Sequence, residues 1–72
     1  MLQEVVFFEN IVGGVIMYKE RMGYSVERRI CRMPGIYRCR LYHYANLADA
    51  QKRFDKSKSM LVAIQTRRQK NK

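Results

Sequence analysis

Three glycine-bearing dipeptides, Gly13-Gly14, Met22-Gly23 and Pro34-Gly35, divide the first 44 residues into four short runs. The runs are VVFFENIV, VIMYKER, YSVERRICRM and IYRCRLYHY. They are rich in β-branched and aromatic residues, which suit a pleated, half-buried surface. Gly-Gly supplies two residues able to take positive φ, as a two-residue hairpin loop requires. Pro34 presets φ, and Gly35 suits the next position of a type II turn. The spacing predicts an antiparallel meander of about four strands.

Pairing through these turns sets Val12 opposite Val15 and Phe8 opposite Lys19. Alternation then collects Phe8, Val12, Val15, Met17, Val26, Ile30, Tyr37, Cys39 and Leu41 on one face, the expected core face. The other face collects Val5, Phe7, Ile11, Ile16, Tyr18, Glu27, Arg29, Cys31, Arg38, Arg40, Tyr42 and Tyr44. It is apolar at the first strands and rich in Arg and Tyr at the last two.

Past residue 45 the period changes. Asn46 is a good N-cap, with Asp49 three residues on. Leu47, Ala50, Phe54, Leu61 and Ile64 continue a helical stripe. The polar interval KSKS, residues 56–59, interrupts it. One helix from Leu47 to about Gln69 is favoured, because no Gly or Pro intervenes. The alternative ends a short helix near Lys56 and makes MLVAIQT a last strand. The expected fold class is α+β: an antiparallel β-meander followed by a C-terminal α-helix packed on one sheet face. Residues 1–66 read as a single small domain and residues 67–72, RRQKNK, as a basic flexible tail.

The chain has 72 residues and a formal net charge of +9, with fifteen Lys and Arg against six Asp and Glu. A charge of this sign and size implies a polyanionic partner. It is unevenly spread: residues 1–24 carry three acids and two bases, and residues 46–72 carry two acids and eight bases. The apolar N-terminus carries Glu4 and Glu9 and no basic flank, so it reads neither as a signal peptide nor as a membrane span. Two cysteines are too few for a disulfide scaffold. An intracellular, cytoplasmic protein with reduced thiols is the expectation.

The segment RRICRMPGIYRCRLYHY, residues 28–44, concentrates the chemistry. Arg29, Arg38 and Arg40 would share a face with Tyr42 and Tyr44. Guanidinium groups grip phosphates or guanine edges, and tyrosine rings stack on bases. Lys52, Lys56, Arg67 and Arg68 would add backbone neutralisation from the helix and tail. The plain alternative is a solvated sheet face and a solubilising tail, since Arg stems cover apolar surface well.

Other chemistries find little support. His43, Cys31 and Cys39 offer three ligands at most, without the close-spaced pairs a zinc site uses. By the expected alternation Cys39 and His43 face one way and Cys31 the other, with Cys39 as a small core residue. No metal, cofactor or catalytic residue is assigned, and an enzyme is not expected. Phe7, Ile11 and Ile16 form an apolar patch that suits a homodimer if it is uncovered. A membrane-surface role is disfavoured, because apolar and basic residues do not segregate along one helix.

Residues 24–56, a sheet followed by a helix opening NLADAQKRF, resemble in layout the small sheet-plus-helix DNA-binding domains of integrases and plant AP2 factors. The resemblance implies a sheet facing DNA with the helix supporting it. The expected function is non-catalytic nucleic-acid binding, DNA rather than RNA. The alternative is a small regulator or inhibitor of mobile-element type that docks on an acidic protein surface.

Overall fold

The structure, a computed structural model, describes residues 3–70. Four strands, β1 (Gln3–Glu9), β2 (Gly13–Glu20), β3 (Gly23–Met33) and β4 (Ile36–Tyr44), precede one helix, α1 (Leu47–Lys70). The strands pair antiparallel in chain order. The meander and the C-terminal helix are therefore both present. The helix lies on one sheet face, mainly over β2 and β3 and less over β4.

The start of α1 follows from its cap. Asn46 Oδ1 accepts from the Asp49 backbone N–H at 2.9 Å, and Asn46 Nδ2 donates to Asp49 Oδ2 at 3.2 Å. The Asp49 charge also sits well in the first turn of a helix. With no Gly or Pro to stop it, α1 runs through residues 57–66, so MLVAIQT is helical. It continues to Lys70, so residues 67–70 of the expected tail are helix. Asn71 and Lys72, the rest of that tail, lie outside the described residues.

The core joins Val12, Val15, Met17 and Val26 from the sheet side to Ala50, Phe54 and Leu61 of the helix. Phe8, Tyr24, Ile30, Tyr44 and Ile64 pack around it. Leu47, expected in the helical stripe, is exposed. Ser57, which interrupted that stripe on paper, lies on it and is fully buried. Its hydroxyl has no hydrogen-bond partner among the described residues.

The first turn departs from the expected one. Gly13 and Gly14 belong to β2, and neither has positive φ. The chain reverses at Asn10–Val12 instead. Asn10 Oδ1 accepts from the backbone N–H of Val12 at 2.9 Å and of Gly13 at 3.2 Å. Its Nδ2 donates to the Leu61 carbonyl at 3.2 Å, tying the loop to the helix. An asparagine that closes its own turn competes well with a Gly-Gly hairpin. Phe8 consequently pairs with Val15, not Lys19, and Val12 enters the core from the loop. Gly13 serves a close approach: a Cβ there would overlap the Arg29 carbonyl oxygen.

The turn at Pro34-Gly35 matches the expectation, with Gly35 at φ 81°. The register leading out of it does not. Met33 pairs with Ile36, but Cys31 pairs with Tyr37, so Arg32 is an extra residue in β3. Directly opposed residues share a face, and one unpaired residue reverses the assignment for everything beyond it. Val26, Arg28 and Ile30 therefore face the helix side together with Tyr42, Arg40 and Arg38. Tyr37, Cys39 and Leu41, expected in the core, lie on the open face. Cys39 is exposed, and Cys31 shares its face.

Two substitutions test this packing. Ser57→Ala removes a buried hydroxyl without a partner and improves helix propensity, so unfolding stability should rise by about 1 kcal/mol. Gly13→Ala should lower it by about 2 kcal/mol, because the obstacle is backbone. Urea titration followed by circular dichroism measures both.

Candidate nucleic-acid interface

The helix covers the middle strands, so the helix-side surface of β4 is left partly open beside it. Arg28 and Arg40 are direct cross-strand partners, and Arg38 pairs with Ile30 one step further along the same face. Arg38 and Arg40 are exposed, while Arg28 is half-buried and its Nη1 approaches Met60 Sδ at 3.2 Å. The ion pair among the described residues is Arg29–Glu27 at 3.2 Å, and Glu20 lies 3.7 Å from His43 Nδ1. The three helix-side arginines take part in neither contact. Like charges directly opposite in a sheet repel.

Arg53 joins this group from the helix. Its guanidinium lies 4.2 Å from the Tyr42 ring centroid, and its Nε donates to Tyr44 Oη at 2.8 Å. These contacts, with the Arg28–Met60 approach, mark the flank of α1 that faces β4. Lys56, three residues past Arg53, and Arg67, seven past Met60, share that flank by helical spacing. Lys58 sits 5.1 Å from the Phe8 ring and marks the flank towards β1. A basic strip thus runs between α1 and β4: Arg28, Arg38, Arg40, Arg53, Lys56 and Arg67.

The expected site residues divide accordingly. Arg38, Arg40, Tyr42, Tyr44, Lys56 and Arg67 come together. Lys52 is exposed one helical turn before Lys56, on the outer surface. Arg68 is exposed, and its Nη2 approaches the Cys31 carbonyl at 3.4 Å. Arg29 lies on the opposite face, paired with Glu27, and leaves the set. Arg28 and Arg53 enter it. Arg28 was hidden by the register, and only the fold brings Arg53 beside Tyr42 and Tyr44. Arg53 lies over the Tyr42 ring and donates to the Tyr44 hydroxyl, and Tyr44 packs against the core, so both half-buried rings are already engaged.

The open sheet face is different. Its paired positions hold Glu4, Glu9, Glu20 and Glu27 against a single basic residue, Arg29. A sheet facing DNA through that side, as the resemblance implied, would bring glutamates to phosphate. Cys31, Cys39 and His43 all lie on this face, contrary to the expected parity. They are spread along the strands, with Cys31 opposite Tyr37 and His43 opposite Ser25. No group of three metal-ligating side chains forms among the described residues. Ser25 is buried, donates to Glu20 and sits 2.9 Å from His43 Nδ1. No described helix is long and apolar enough to cross a membrane.

Compared with family models, with curated proteins and with solved structures, the chain matches none.

Charge around Tyr42 shifts its titration. Burial pushes the phenol up, but the Arg40 guanidinium at the hydroxyl and the fields of Arg28, Arg53 and Arg40 outweigh it and hold the phenol below its usual range. The hydrogen bond to Tyr44 raises the Arg53 guanidinium further, so that cation is permanent. Lowered in the fold, the Tyr42 phenol favours folding only at strongly alkaline pH. That contribution is complete above the unfolded value of about 10 and is lost as pH falls through the folded one. In Arg40→Met, Tyr42 should titrate at higher pH than in the parent, read from the ring carbon signals by NMR. An unchanged titration would separate Arg40 from Tyr42.

Proposed function

We propose that the protein is a non-catalytic nucleic-acid-binding protein that grips the phosphate backbone of duplex DNA with the strip between α1 and β4. The observation that carries this is the Arg28–Arg40 cross-strand pair with Arg38 beside it. Three arginines share one face across β3 and β4, the two on β4 exposed, with no acid paired to them, an arrangement that costs folding stability. A polyanion lying along the strip would relieve that repulsion and release its own counterions. Arg53, Lys56 and Arg67 extend the row along the helix.

Backbone contact on a duplex is favoured over single strands because Tyr42 and Tyr44 already hold Arg53. Proteins that bind single strands without sequence preference use free aromatic faces as stacking platforms. Phosphate contacts fix position without reading sequence, so weak sequence preference is expected.

Fluorescence anisotropy of random duplex, single-stranded DNA and RNA across a salt series tests the proposal. Duplex binding should be the tightest and fall steeply with salt. Arg38→Ala combined with Arg40→Ala should weaken it and flatten the salt slope by about two units, with an unchanged circular dichroism spectrum. An unaltered slope removes the strip as the site. Absence of binding near physiological salt would turn the strip towards an acidic protein surface instead.

A further inference from the structure

The open sheet face is left uncovered by α1, and its composition is unlike the rest of the molecule. Phe7 is 55% exposed, Ile11 75%, Tyr37 58% and Leu41 54%. Exposed apolar side chains gathered on one face mark an interaction surface. A shallow groove of about 500 Å³ crosses this face. Phe7, Gly14, Ile16 and Tyr37 line it with Glu4 and Glu9, and Arg29 borders it directly opposite Gly14. The one arginine of the face is held by Glu27. Four of the chain's six acids therefore gather on this face, in a protein of net charge +9.

We infer that this face docks a cationic, apolar segment of another protein, with a lysine or arginine side chain seated in the Gly14 groove. The stem of such a side chain is apolar and its head is charged. The stem would lie over Ile16 and Phe7 with the head on Glu9, whose partner across the strands is Gly14, and a second cationic residue of the segment would reach Glu4, about 15 Å further along β1. Among the described residues neither glutamate is in an ion pair. Nucleic acid is repelled by the same glutamates, so the two partners would use opposite faces of one sheet. The inference does not depend on what the basic strip binds.

The probe is a synthetic amphipathic peptide of leucine and lysine, with a leucine and glutamate peptide as control, titrated into the isotope-labelled full chain. Amide shifts should move at Ile16, Glu27 and Leu41, and only with the lysine peptide. Glu4→Gln combined with Glu9→Gln should weaken binding about tenfold, as loss of two partly shielded charge pairs implies. Leu41→Ser should weaken it as well. All these positions are exposed on the open face, so the fold is retained, and duplex DNA binding by the same variants should not weaken. Four results would overturn the inference. The lysine peptide could leave the face unmoved at millimolar concentration. The glutamate peptide could bind equally well. DNA-induced shifts could fall on this face. Sedimentation could reveal self-association through it without peptide.

Discussion

One helix is about 10 Å across, and neighbouring strands are about 4.8 Å apart, so a single helix covers roughly two strands. This chain has four strands and one helix. The geometry dictates the rest of the molecule. The buried residues gather where α1 meets β2 and β3, and both outer strands are covered on one face only in part. The second sheet face has no covering element among the described residues. A small protein of this design buries little, and its surface is correspondingly rich in side chains free to meet something else.

What decides which side chains those are is one extra residue. Arg32 has no partner in β4, and that single offset turns Arg38, Arg40, Tyr42 and Tyr44 to the helix side. It also turns Tyr37, Cys39 and Leu41 outward. The cation cluster and the outward Tyr37 and Leu41 arise from this irregularity, while a second one, at Val5 in β1, brings Glu4 to the open face. Bulges commonly re-aim side chains near functional surfaces, and here one does so for a whole strand.

The sequence was legible where local chemistry is strong. Asn46 and Asp49 announced the helix start, Pro34-Gly35 announced its turn, and the absence of Gly and Pro carried α1 through the KSKS interval. The core positions of β2 and β3, namely Val15, Met17, Val26 and Ile30, followed from alternation. What failed was register, which depends on an exact count across each turn. Gly13-Gly14 looked like a turn because glycine permits one, yet Asn10 supplied a better closure, and Gly13 was needed where β2 approaches the Arg29 carbonyl. The bulge at Arg32 has no signature in residue type. Of the candidate site, the residue types were legible and their grouping was not. Arg29 shares its face with Glu27, and Arg28 and Arg53 join the cluster only through the register and the helix packing. The buried Ser57 hydroxyl is a second place where local preference and tertiary packing disagree: a small side chain suits the contact, while its polar atom does not.

The separation of acids from bases has a consequence for how the molecule travels. With four glutamates on one face of the sheet and the basic strip on the other, the protein carries a dipole across the sheet in addition to its net charge. In the field of a polyanion a net charge supplies attraction, but a dipole supplies torque. The molecule would turn while still some distance away and arrive with the strip between α1 and β4 leading. Encounter with the proposed duplex would then begin with the strip facing it and the sheet's other face pointing outward into solution.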